Sequence, residues 1–299
     1  MSMQPTLVEI GSFDYRGRRL AYEIYGHHGQ PCVLLHGILL DALVNRELAL
    51  RFAAEGYRVA LLDLLGHGRS ERSRDPKDHR TDFYADQVLA LLDHLGWPQA
   101  LIGGVSLGAI TALQVAVRAP RRVRALFLEM PVLEWSAPWA TVILAPILFA
   151  ARVLRPGYRR LGKALARMPR PREAWLASLL NAVTIEPETA AAILHGVMVG
   201  PIAPTEMQRQ ALTMPVLVVG HTGDWLHDRQ DAEALAWQIP GARLVLVRHV
   251  LELRTNPDRP WPEIREFLRQ IATAADDGKP RRHSGRAERL ARPTKRMKY

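Results

Sequence analysis

Apolar and polar positions alternate along the first part of this chain with two different periods. Leu20, Tyr22 and Ile24 alternate with Ala21, Glu23 and Tyr25, a period of two that predicts strands. Residues 6–25 therefore read as two strands joined at Tyr15-Arg16-Gly17-Arg18. After a loop at Gly26–Gln30, Pro31–Leu35 is a continuous apolar run, the pattern of a strand covered on both faces. Asp41 can cap a helix that runs to about Glu55 and stops at Gly56. Arg58–Asp63 is the next strand, and a polar stretch, Glu71–Arg80, separates it from a helix over Asp82–Leu95. Then come a short strand at Ala100-Leu101-Ile102, a helix over Ala109–Ala119 and a strand at Val123–Leu128. From Glu134 to Leu212 the strand signal disappears, and eight prolines divide helical or loop sequence. Strand and helix resume with Val216–Val219, Asp231–Gln238, Arg243–Val247 and Pro262–Thr273.

Strands alternating with helices at this spacing predict an α/β protein: a mostly parallel central sheet with helices on both faces. The expected division is a core from 1–133 and 213–275, an inserted helical lid at 134–212, and a basic tail at 276–299. An insertion of that size fits a cover over the carboxyl edge of the sheet, where open α/β sheets bind ligands. Ser136–Ala151 carries no charge, but its 16 residues fall short of the ~20 a membrane span needs and include Pro138 and Pro146. It reads as a buried lid helix, or a broken pair, with no stable membrane insertion.

Charge changes this picture little. The formal net charge is +10. Residues 276–299 hold nine Lys/Arg and three Asp/Glu, or +6, which leaves +4 for the rest. The high isoelectric point belongs largely to the tail, which is expected to be disordered. The body is not read as a nucleic-acid binder. Cys32 is the single cysteine, so no intrachain disulfide exists. Met1–Pro5 lacks a basic start followed by an apolar core, and the expected location is cytoplasmic.

The candidate chemistry centres on Gly104-Val105-Ser106-Leu107-Gly108, a G-x-S-x-G between a strand and a helix. That context makes it a nucleophile elbow, with small residues two positions either side of a serine held on a tight bend. His36-Gly37 follows a strand, and Asp63-Leu64-Leu65-Gly66-His67-Gly68-Arg69-Ser70 reads D-x-x-G-x-G-x-S. With an acid after a late strand, these pieces stand in the order of the α/β-hydrolase fold family. The chain resembles that family from about residue 6 to 274.

The resemblance implies a serine hydrolase with Ser106 as nucleophile, then an acid, then a histidine base. Asp224, on the loop after Val216–Val219, is the best acid; Asp228 and Glu129 are its rivals. His249 is the best base. His227 would serve only if its loop folded back. No glycine precedes His249, and Arg243–Leu253 can be read as one long strand, which departs from the family pattern. Backbone N–H groups of Ile38 and Leu107 would form the oxyanion hole. His36 and His67, each before a glycine, read as loop ties, Asp63 as a brace for its loop, and Cys32 as packing. Gly66-His67-Gly68 is no dinucleotide fingerprint, and the histidines lack metal-ligand spacing, so no cofactor or metal is inferred. Trp135, Trp139, Ile143, Leu144, Ile147, Leu148, Phe149 and Trp175 are candidate pocket walls for an apolar, ester-like small molecule. Two alternatives stay open: a binding protein that has kept the fold without efficient turnover, and a perhydrolase or haloperoxidase-like enzyme.

Overall fold

The computed structural model describes residues 6–224 and 226–276. Eight strands form one sheet: β1 (Leu7–Tyr15), β2 (Arg18–Tyr25), β3 (Gln30–Leu35), β4 (Tyr57–Asp63), β5 (Ala100–Val105), β6 (Val123–Glu129), β7 (Val216–His221) and β8 (Arg243–Val247). Their spatial order is β1-β2-β4-β3-β5-β6-β7-β8. β2 runs antiparallel to β1 and β4, and every other neighbouring pair is parallel.

The two-residue period decides which face each side chain enters. Val33, Leu35, Ile102, Leu126, Leu128, Val216 and Val218 join one core, packed against α2 (Thr81–His94), α3 (Leu107–Arg118) and α9 (Arg229–Gln238). Cys32, Leu34, Leu101, Phe127, Leu217 and Val219 join the other, packed against α1 (Arg46–Ala54) and α11 (Trp261–Asp276). Continuous apolar runs are what a sheet covered on both sides requires. Asp41 caps a short 3-10 turn at Ala42–Asn45, accepting from Leu43 N–H at 3.2 Å, and α1 begins only after it.

Between β6 and β7 lie α4 (Ser136–Val153), α5 (Arg155–Ala166), α6 (Ala174–Val183), α7 (Pro187–Val199) and α8 (Glu206–Gln210). Two expectations change here. α4 is one continuous helix through Pro146, and within it only Ser136 and Ala151 are buried. It is therefore an exposed helix and not a buried one. After β8 the chain turns, and a short helix, α10 (Glu252–Thr255), replaces the long strand read over Arg243–Leu253. Beyond Asp276 the basic tail lies outside the described residues.

Candidate active site

Ser106 sits between β5 and α3 with φ 54° and ψ −112°, a left-handed conformation costly for a residue with a side chain. The surroundings impose it. A Cβ on Gly104 would lie 2.7 Å from both Leu35 O and Gly108 C. A Cβ on Gly108 would overlap Leu35 O and sit 2.9 Å from His36 O. Only glycine at both positions lets β3, β5 and α3 meet this closely. Ser106 N–H donates to Glu129 O at 2.9 Å, which fixes the bend to the end of β6.

The partner of the Ser106 hydroxyl is His227. Its Nε2 lies 3.0 Å from Ser106 Oγ, and its Nδ1 lies 2.6 Å from Asp224 Oδ2. The loop does fold back. Asp224 Oδ1 accepts from the N–H groups of Leu226 (2.8 Å) and His227 (3.1 Å), closing a tight turn that returns the imidazole to the same carboxylate. Burial alone would raise the Asp224 carboxyl. The hydrogen bond and charge of His227, with those two N–H groups, outweigh it and hold the pKa below 3.8. An ionised Asp224 can only accept, so Nδ1 carries the proton and Nε2 faces Ser106 as acceptor. A hydroxyl so placed can give up its proton to the ring as it attacks.

His249 is not brought to Ser106. It lies exposed on the turn after β8, with its carbonyl accepting from Glu252 N–H at 3.0 Å. The two rival acids are also occupied. Asp228 caps α9, accepting from Gln230 N–H at 2.8 Å. Glu129 is buried against Arg254, and His221 Nε2 lies 3.3 Å away without the alignment of a hydrogen bond.

Leu107 is the first residue of α3, where a helix leaves its N–H groups free and its dipole favours negative charge. Opposite it, Leu39 N–H donates to His67 Nε2 (3.2 Å) and Leu40 N–H to Gly37 O (3.2 Å). Ile38 N–H is left without an internal partner among the described residues. His36 ties the loops as expected: Nδ1 donates to Gly37 O at 2.8 Å, and Nε2 accepts from Leu64 N–H at 3.1 Å. Burial lowers the pKa of both His36 and His67, keeping them neutral in these roles. Asp63 braces its loop by accepting from Ala42 N–H (2.8 Å) and Arg69 N–H (3.0 Å).

Trp135, Trp139 and Phe149, expected in the pocket wall, are 52%, 57% and 58% exposed. Their place beside the elbow is taken by Trp175 of α6, which packs with Leu40 and Val250 against Val44, Val105 and Met130. Two further residues escaped the sequence reading. The buried Asp231 carboxylate accepts from Leu133 N–H (2.8 Å), Trp135 N–H (3.0 Å) and Ser136 N–H (2.8 Å). Ser136 Oγ in turn accepts from Asp228 N–H at 2.8 Å. The start of α4 is thereby bonded directly to the segment that carries His227. Neither residue gives a sequence signal, because a helix-start aspartate such as Asp231 ordinarily caps its own helix.

A family model described as the alpha/beta hydrolase fold matches residues 30–154. The dihydrolipoyllysine-residue acetyltransferase component of the acetoin cleaving system of Pseudomonas putida is 41% identical over 128 residues, covering 42% of this chain and 32% of that protein. This chain thus spans about a third of that relative's length. The pimeloyl-[acyl-carrier protein] methyl ester esterase of Nitrosomonas europaea is 26% identical over 236 residues, covering 74% of this chain and 88% of the relative. The enol-lactonase structure from Burkholderia xenovorans superposes with a TM-score of 0.68 at 21% identity, covering 88% of this chain and 100% of that one. That likeness shows a shared fold.

Proposed function

We propose that this chain, which has the α/β-hydrolase fold, is a serine hydrolase that cleaves carboxylic esters through an acyl-enzyme. One observation carries this reading: the unbroken chain of hydrogen bonds from Ser106 Oγ through His227 to Asp224. The fold alone hosts too many reactions to decide the matter.

In the proposed mechanism the ester carbonyl oxygen lies between the N–H groups of Ile38 and Leu107. Ser106 Oγ attacks the carbonyl carbon while His227 Nε2 takes its proton. The ionised Asp224 stabilises the imidazolium that forms. Negative charge moves onto the carbonyl oxygen, where each main-chain donor is worth a factor of ~10²–10³. The intermediate collapses, His227 returns the proton to the departing alkoxide, and an acyl group remains on Ser106. Water, deprotonated by His227, then attacks the acyl carbon and releases the acid with Ser106 restored. The apolar surface of Leu40, Met130, Trp175 and Val250 supports an apolar acyl or alcohol group next to the serine. The relative named as a methyl ester esterase supports the ester class. The lone buried Cys32 fits action in the cytoplasm.

The test is labelling with a fluorophosphonate probe, followed by a panel of p-nitrophenyl esters of graded chain length. The proposal expects labelling and turnover, both abolished by Ser106→Ala. Folded wild-type protein that neither labels nor turns over any ester would refute it.

A further inference from the structure

The described surface carries one feature that ester cleavage does not use. Along α4, Trp139, Val142, Phe149 and Val153 recur at helical spacing on one face, and they are 57%, 62%, 58% and 59% exposed. Trp135, four residues before Trp139, extends the stripe at 52%. Eighteen residues of helix are about 27 Å long. Large apolar side chains exposed over that length mark a surface that meets an apolar partner.

The charge that follows the stripe along the chain says which partner. Between Trp135 and Arg172 the sequence holds eight Lys/Arg and no Asp/Glu. Arg155, Arg160, Lys163 and Arg167, on and just after α5, are exposed and make no ion pair among the described residues. A second copy of the chain would bring an equally cationic surface against this one. A nucleic acid would use the cations and leave the stripe in water. An anionic lipid surface uses both, with acyl chains for the stripe and headgroups for the cations.

The helix is built to lie on such a surface. Its opposite side packs on α7, where Ala151 joins Ile185, Ala190 and Ala191. Its first turn is held by the buried Asp231. We propose that the exposed face of α4, with the basic residues of α5, docks this protein on anionic membrane surfaces as a peripheral contact. The same root bonds the docked helix, through Ser136 and Asp228, to the segment carrying His227. Docking therefore holds the catalytic edge of the sheet at the lipid boundary.

The experiment is co-sedimentation of the full chain with vesicles, read without any turnover. One set is phosphatidylcholine alone, and the other contains phosphatidylglycerol. The expected result is partition into the phosphatidylglycerol vesicles at least tenfold stronger than into phosphatidylcholine, weakened by high salt. Arg160→Gln with Lys163→Gln should weaken it roughly 25-fold, at about fivefold per cation. Val142→Ser with Phe149→Ser should weaken it at least about tenfold. Unchanged circular dichroism would show that both variants fold. The basic segment after Asp276 is common to all of them, so equal binding by wild type and variants would place the contact elsewhere and overturn the proposal. So would no binding of wild type to the anionic vesicles, or self-association that the same variants abolish in the absence of vesicle binding.

Discussion

Replacing Arg254 by Met strands a buried charge directly behind Ser106. The Glu129 residue is 1% exposed and the Arg254 side chain 2%. Arg254 donates to Glu129, to Asn45 Oδ1 at 3.0 Å and to Val44 O at 3.3 Å. Met keeps most of the stem and removes all three bonds. Breaking one side of a buried pair costs about 3–5 kcal/mol, because the remaining carboxylate is left uncompensated. That is a large part of the ~5–15 kcal/mol by which a domain is stable. Adding Glu129→Gln removes the stranded charge, and the double variant should recover at least about 1 kcal/mol. The assay is urea unfolding followed by far-UV circular dichroism, with a common slope required for comparison. Because Ser106 N–H bonds to Glu129 O, kcat should fall in Arg254→Met while KM changes little. Arg254→Met within about 1 kcal/mol of wild type, or a double variant less stable than Arg254→Met, would refute the reasoning. The pH dependence follows from the same pair. Burial alone would raise the Glu129 carboxyl, but Arg254 and His221 outweigh it and hold its pKa below the ordinary 4.5. The stabilisation is therefore full above that value and is lost as the pH falls through the lowered one. Wild type should lose stability below pH 4.5 more steeply than Glu129→Gln.

Asp231→Ala removes the acceptor of three N–H groups, those of Leu133 and Ser136 buried, and at ~1–3 kcal/mol for a stranded group it should cost at least about 2 kcal/mol. Ester kinetics should show kcat falling more than KM rises, since the His227 segment loses its anchor; a change in KM alone would contradict this. Gly108→Ala forces a Cβ into the carbonyls of Leu35 and His36, both main chain, and should cost about 1–3 kcal/mol by thermal unfolding and slow fluorophosphonate labelling. An unchanged melting temperature would show that β3 and α3 are less tightly juxtaposed than described.

Most of the sheet was legible because burial on both faces leaves a plain record. Runs such as Pro31–Leu35 and Val216–Val219 have no other economical use. The elbow was legible because Gly104 and Gly108 are required by backbone approach and cannot be supplied by other residues. The base was not. His249 occupies the position that the family order favours, whereas the choice of His227 depends on a turn closed by Asp224 onto the N–H groups two and three residues on. An aspartate three residues before a histidine was the available signal, and it is weak until the Ser106 hydroxyl is known to lie within reach. α4 failed for a different reason. A core helix and an interfacial helix share the same uncharged composition, and only packing tells them apart; here α7 covers one side and leaves Trp139 and Phe149 in the open.

Turnover depends on which imidazole activates Ser106, and one comparison tests it: the ester kcat of His227→Ala beside that of His249→Ala. Losing the base of such a hydrogen-bonded chain costs about 10⁴–10⁶ in kcat. His227→Ala should fall by that order, and His249→Ala should stay within about threefold of wild type. A severe loss in His249→Ala with near-normal turnover in His227→Ala would contradict the account.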